Sequence, residues 1–226
     1  MNTTLVLEDG TTMHGVNFGA EAPVAGEVVF NTAMAGYVET LTDPSYRGQI
    51  LVCTYPLIGN YGVPGERSDI DEPFESSEIQ VQGLVVQNYV DDYSHHTADR
   101  SLGEWLRSEN VPAVTGIDTR TLTRRLREHG TMRGWLFPTD LGLTEARVQS
   151  ASVQMEEEVF KLVAPEAEAR YGDGTSKILL VDIGAKDNIV RSLTSRKATV
   201  IRVPWHADLK PYADEVDGIL IGNGPG

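Results

Sequence analysis

Ile178-Leu179-Leu180-Val181-Asp182 is the stretch that decides the fold. Four consecutive aliphatic residues without alternation read as a strand buried on both faces, as in parallel sheets covered by helices. Lys186 to Ser195 reads as a helix, Ala198 to Val203 as a second strand, and Gly218 to Gly222 as a third. Strand, helix, strand, then a strand ending in a glycine-rich turn is the opening of a doubly wound α/β sheet. The unit from Lys177 to Gly226 holds 50 residues. Three strands and at most two helices make a poor independent core, so this unit is expected to be incomplete.

Working outward, Pro165 through Ser176 reads as a linker, rich in Ala and acids and carrying Gly172-Asp173-Gly174. Thr144 to Val163 is expected to be one helix, with Glu156, Glu157 and Glu158 on it. The first half reads as short strands and turns. Glu8-Asp9-Gly10 is a hairpin signal between Thr4-Leu5-Val6-Leu7 and Thr11 to Val16. Gly26 to Thr32 alternates like a half-buried strand, and Gly48 to Thr54 and Gln82 to Gln87 are denser apolar strands. Ser101-Leu102-Gly103-Glu104 is a capping-box pattern ahead of Trp105-Leu106. Asp118 to Gly130 has an N-cap residue at one end and glycine at the other, with Ile117, Leu122 and Leu126 available to one face.

The bulk properties narrow the function classes. At 40% hydrophobic residues and a mean hydropathy of -0.23, the chain can build a core. No stretch approaches the roughly 18 apolar residues of a membrane span. Met1-Asn2-Thr3-Thr4 lacks the basic start and apolar run of a signal peptide, so a cytoplasmic protein is expected. A net charge of -14 argues against nucleic-acid or anionic-membrane partners. The single cysteine, Cys53, excludes an internal disulfide and a multi-cysteine metal site. The acid-rich, lysine-poor balance resembles that of proteins from salt-loving organisms.

Two loops carry the chemistry-bearing residues. Gly222-Asn223-Gly224-Pro225-Gly226 follows a parallel strand, where doubly wound folds bind ligands and glycine lets a substrate approach the backbone. Its amides suit an oxyanion; the plain alternative is a strand-terminating turn. Asn31 to Tyr46 is rich in small and polar residues between two apolar strands. Asp43-Pro44-Ser45 is a turn former that is expected to place the Ser45 hydroxyl on an exposed loop. Cys53 sits in an apolar strand and reads as a buried small hydrophobe rather than a nucleophile. His95-His96 reads as an exposed loop pair with opposed side chains, without further His or Cys to make a metal cluster. Arg120, Arg124, Arg125 and Arg127 make a basic helix in an acidic chain, either a solvated face or a partner surface.

Four blocks carry a family resemblance. FNTAMAGY, TDPSY and TYPLIGNYG lie between Val29 and Gly62; GIDTRTLTRRLREHGTM spans Gly116 to Met132; VDIGAKDNI spans Val181 to Ile189; and GNGPG ends the chain. In this order and spacing they resemble the small subunit of carbamoyl-phosphate synthetase. The resemblance implies an α/β chain. Residues 1–150 would be a mixed β/α small-subunit domain of the swivelling β/β/α type. Residues 151–176 would be helix and linker, and 177–226 the start of a flavodoxin-like class I glutamine amidotransferase domain.

That family hydrolyses glutamine and passes ammonia to a large subunit, which uses ATP, magnesium and bicarbonate to make carbamoyl phosphate for arginine and pyrimidine synthesis. By resemblance, Ser45, Gly224 and Gly226 hold L-glutamine, with Gly224 as the backbone oxyanion donor. The family's Cys, His and Glu fall beyond Gly226, so the resemblance assigns no catalytic residue and no metal here; His206 is not the catalytic His by position. The large subunit would be the partner in a heterodimer, and reversing charge at Arg124 and Arg125 would weaken that contact. The alternative is a non-catalytic docking module. A nucleotide-binding flavodoxin-like protein is a weaker reading, because neither GxGxxG nor GxxxxGK[ST] is present.

Overall fold

A computed structural model of the chain describes residues 1–65, 70, 73–150 and 159–225. The chain opens with β1 (Asn2–Leu7), β2 (Thr12–Asn17), β3 (Val24–Asn31), α1 (Tyr37–Leu41) and β4 (Gln49–Cys53). It continues through β5 (Val63–Pro64), β6 (Gly83–Val86), β7 (Ala98–Arg100), α2 (Leu102–Ser108) and β8 (Ala113–Thr115). Then come α3 (Thr119–His129), β9 (Met132–Pro138) and α4 (Leu143–Gln149). Seven of these strands close into a barrel in the order β1-β2-β8-β6-β4-β3-β9, while β5 and β7 pair as a separate ribbon.

The β1–β2 hairpin turns where its residues demand it. Gly10 takes φ +86°, and the Asp9 carboxylate accepts the Thr11 amide at 2.8 Å. Strands β3, β4, β6 and β8 run parallel to one another, and β9 closes the barrel antiparallel to β1 and β3. The apolar run of β4 is explained by two cores. Ile50 and Val52 face the barrel interior with Leu5, Val85, Val114 and Leu136. Leu51 and Cys53 face outward beneath α1 and α2, with Leu41 and Trp105. Covering both faces of such a strand contributes about 1.5–3 kcal/mol for each large aliphatic side chain.

Helix α3 forms as its caps predict. Asp118 accepts the Thr121 amide at 3.0 Å, and Leu122 and Leu126 join Ile117 in the barrel core. The capping box at α2 is complete: the Glu104 amide donates to Ser101 Oγ at 3.2 Å, and the Ser101 amide donates to Glu104 Oε2 at 2.8 Å.

Two expectations need correction. The helix expected over Thr144 to Val163 is not continuous: α4 ends at Ser150, which is extended, and α5 (Val159–Val163) is a separate turn of helix. A serine whose side chain competes for backbone groups is a poor place to continue a helix. Glu156, Glu157 and Glu158 lie outside the described residues. The stretch read as linker contains a strand, β10 (Ala169–Tyr171), too short to show a period of two. The closure of the first sheet into a barrel was not legible at all.

The second sheet adds β11 (Ser176–Asp182), α6 (Asp187–Thr194), β12 (Ala198–Pro204) and β13 (Gly218–Ile221). Its order is β10-β12-β11-β13, with β11 parallel to both neighbours and β10 antiparallel at the edge. Leu180 and Val200 face α6 through Val190; Leu179, Val181, Ile201 and Val203 face Leu209, Tyr212 and Val216. The β11–α6–β12–β13 order is the one that the sequence predicts. No helix among the described residues is long and apolar enough to cross a membrane.

Candidate functional site

The loop between β11 and α6 is the hub of the site. Asp182 is fully buried at the end of β11. Its Oδ1 accepts the amides of Gly184 and Ala185, each at 2.7 Å, and Gly184 takes φ +112° to make that turn. Its Oδ2 pairs with Arg202 Nε from β12. The Arg202 guanidinium also reaches Asp187 Oδ1 at 2.8 Å and the Ala185 carbonyl at 3.1 Å. Burial alone would lower the Arg202 pKa; Asp182 and Asp187 more than offset it and hold it above the usual value. One cation between two carboxylates therefore fixes the loop from behind.

From the barrel side, Glu75 caps α6. The Asp187 amide donates to the Glu75 carbonyl at 3.0 Å and the Asn188 amide to Glu75 Oε2 at 2.9 Å. These are first-turn amides that have no partner within the helix. Arg191 then donates to Glu75 Oε1 at 3.1 Å and to the carbonyls of Ile70 and Phe74 at 3.0 and 2.7 Å. Burial raises the Glu75 pKa above its ordinary value, opposed by the Asn188 amide, Arg191 and Lys186.

Ser45 is tied to the same loop. It lies in a single 3-10 turn, Pro44–Tyr46, and is half-buried rather than exposed as its loop composition predicts. Asp43 Oδ1 accepts the Ser45 amide at 2.9 Å, and Asp43 Oδ2 stands 2.6 Å from Lys186 Nζ at the head of α6. Burial lowers the Lys186 pKa; the hydrogen bond and charge of Asp43 outweigh this and raise it. Thr42 completes the support: the Glu75 amide donates to Thr42 Oγ1 at 2.9 Å, and Ser76 Oγ donates to the Thr42 carbonyl at 2.6 Å.

Gly224 packs near the same loop. The Gly222 amide donates to the Val181 carbonyl at 2.9 Å, which extends the β11–β13 pairing by one residue into the glycine turn. A Cβ on Gly224 would stand 2.9 Å from the Phe160 ring and 3.6 Å from the Ile183 carbonyl. The Phe160 contact would have to give way before any side chain could fit. Ser45 and Gly224 thus meet the Asp182–Lys186 loop at different residues, Ser45 through Asp43 and Lys186 and Gly224 at Ile183. Gly226 lies outside the described residues.

The neighbouring cleft, about 260 Å³, is lined by Pro44, Ser76, Glu78, Val163, Asp187 and Arg202; neither Ser45 nor Gly224 lines it. Sequence reasoning missed Asp43, Glu75, Lys186, Arg191 and Arg202 as a connected set. The only local signal was the density of charge in Asp182 to Asp187; their partners lie 15 to 143 positions away along the chain.

Other candidates resolve plainly. Cys53 is buried, and burial pushes its thiol up to about 12. His95 and His96 are exposed, but their ring centroids are 4.4 Å apart, so the side chains are not opposed. Among the described residues no group of three or more His, Cys, Asp or Glu is arranged to hold a metal. His206 is exposed beside Trp205. Arg125 pairs with Asp9 of the first hairpin, whereas Arg120, Arg124 and Arg127 line a cleft of about 430 Å³.

The family model for the "Carbamoyl-phosphate synthase small chain, CPSase domain" matches residues 5–136, the barrel. The chain belongs to that family. It is 41% identical to the carbamoyl phosphate synthase arginine-specific small chain of Chaetomium globosum, over 100% of this chain and 50% of the relative. It is 43% identical to the multifunctional protein pyrABCN of Emericella nidulans, over 98% of this chain and 11% of the relative. It is also 43% identical to the mitochondrial carbamoyl-phosphate synthase [ammonia] of Homo sapiens, over 98% of this chain and 15% of the relative. The chain therefore spans half the length of the arginine-specific small chain and a smaller share of the longer relatives.

Proposed function

We propose that this chain belongs to the glutamine-hydrolysing small chain of a carbamoyl-phosphate synthase and supplies one edge of the glutamine pocket. Residues 1–150 form the swivelling small-subunit domain, 151–176 the connection, and 177–226 the first part of a flavodoxin-like amidotransferase domain. Ser45 binds the amino-acid end of glutamine, and Gly224 and Gly226 line the pocket with backbone. The observation that carries the proposal is the Ser45–Asp43–Lys186 connection, which ties the TDPSY turn to the loop on which Gly224 packs. Ammonia passes to a large chain that binds ATP and magnesium, in a cytoplasmic heterodimer serving arginine and pyrimidine synthesis. The relatives' names support the carbamoyl-phosphate role alone: some are small chains, and others are multifunctional proteins of which this chain matches 11%.

Hydrolysis of a carboxamide needs an activated nucleophile. Cys53, the single cysteine, is buried and weakly acidic, and all five histidines are exposed. This chain by itself is therefore inactive. The test is glutamate release from glutamine, for these 226 residues and for a form extended by about 150 residues. Activity only in the extended form, reduced by Ser45→Ala chiefly through KM, supports the proposal. Activity in the short chain overturns it. A non-catalytic docking role is the second reading, favoured by relatives named for ammonia rather than glutamine. An extended form that binds a large chain but never releases glutamate would establish it.

A further inference from the structure

The barrel carries a second candidate site, lined by neither Ser45 nor Gly224. Strands β3, β4, β6 and β8 are consecutive parallel neighbours, so their carboxyl ends share one rim. The residues just after three of those strands, Thr32, Thr54 and Gln87, line the cleft of about 430 Å³. Helix α3 forms its other wall, through Arg120, Arg124 and Arg127 together with Thr119 and Thr123. The carboxyl ends of parallel strands are where open α/β sheets and α/β barrels bind small ligands.

The lining chemistry is one-sided. Apart from Pro56, every lining residue carries a hydrogen-bond donor, and none is a carboxylate. Arg120, Arg124 and Arg127 stand at i, i+4 and i+7, one stripe of α3. Arg125, off that stripe, is the one neutralised by Asp9. Among the described residues Arg120, Arg124 and Arg127 make no direct ion pair, although the Asp118 carboxylate at the head of α3 lies within the electrostatic reach of Arg120. Like charges at helical i, i+4 spacing repel, and a chain of net charge -14 does not lack carboxylates to relieve them. The Arg127 guanidinium lies 5.2 Å from the centroid of the Phe30 ring, which holds it against the strand ends.

We infer that this rim cleft binds a small phosphate-bearing ligand. Guanidinium groups present paired donors that match phosphate oxygens, and hydroxyl and carboxamide donors complete such a shell. The volume falls within the range of about 300–1,000 Å³ usual for small-molecule sites, and the lining residues come from four elements, the ends of β3, β4 and β6 and helix α3. The site stands independently of the glutamine proposal, because it shares no residue with it.

The test is calorimetric titration of the 226-residue chain with inorganic pyrophosphate, at ionic strength held constant with KCl. Saturable binding at one site per chain is expected. Arg120→Gln/Arg124→Gln should weaken it at least about tenfold while leaving the circular dichroism unchanged and the melting temperature no lower. Arg125→Gln, which touches Asp9 instead of the cleft, should bind as the parent does. Absence of saturable binding, or equal binding by the double variant, overturns the inference. So does tighter binding of a glutamate decapeptide than of pyrophosphate, which would make the cleft a dock for an acidic partner segment.

Discussion

Lys186 Nζ stands 2.6 Å from Asp43 Oδ2, joining the head of α6 to the turn that carries Ser45. Lys186 is 42% exposed, so solvent screens the pair and its direct contribution to stability is about 1 kcal/mol at most. Its positional effect is larger, because Asp43 uses its other oxygen to hold the Ser45 amide. Lys186→Met is expected to lower the unfolding free energy only slightly, by urea titration. Amide hydrogen exchange at Ser45 should accelerate measurably. Unchanged exchange there would show that Asp43 holds the turn without Lys186.

Glu75 gives the contact between barrel and second sheet a pH dependence of definite sign. Its folded pKa is raised above 4.5, so the folded state takes up a proton at higher pH than the unfolded chain. Stability therefore falls as pH rises from about that value through the folded pKa, and the penalty is fully present above it. Glu75→Gln removes this slope. The stability difference between parent and variant, measured across that window, should shift against the parent as pH rises; a flat difference would remove Glu75 as its source.

Arg202 is the counter-charge for an aspartate with no access to water. Arg202→Met leaves Asp182 buried and unpaired and is expected to destabilise by about 3–5 kcal/mol in denaturant unfolding. Asp182→Asn combined with Arg202→Met should recover most of that loss, because the asparagine carbonyl can still accept the Gly184 and Ala185 amides. Equal loss in the double variant would mean that the geometry of the ion pair matters more than the charge.

Cys53 should be silent to thiol reagents. With its thiol pushed up to about 12, the native chain at pH 8 holds about a thousandfold fewer thiolates than an unfolded one. Labelling with a chromogenic disulfide is expected only at the rate of unfolding, and to become immediate in concentrated urea.

The surplus of acidic over basic residues, 33 against 19, predicts a salt response. Molar KCl shortens the reach of like-charge repulsion to about 3 Å and should raise the urea midpoint. Equal midpoints in dilute buffer and in molar KCl would show that the composition is not a salt adaptation.

The limits of legibility follow from the distances over which each signal acts. The caps of α2 and α3, the β1–β2 turn and the apolar run at Ile178 to Asp182 are all local. Each depends on residues within a few positions of one another, and each formed as its residues predict. Ser150 and the three-residue β10 were misread because short-range patterns say least about where a helix stops and how short an edge strand can be. The rings of His95 and His96 draw together because an irregular loop does not alternate as a strand does.

The sequence by itself determined the α/β class, the succession of β11, α6, β12 and β13 along the chain, the inertness expected of Cys53, and the family, since these rest on local chemistry and on runs of matching residues. Tertiary structure alone decided that the first sheet closes into a barrel, that Glu75 caps a helix more than a hundred positions away, and that Lys186 reaches Asp43. Those outcomes belong to pairings between distant residues. A charge or an unpartnered helix amide announces in sequence that it needs a partner, and only the packed chain selects which one.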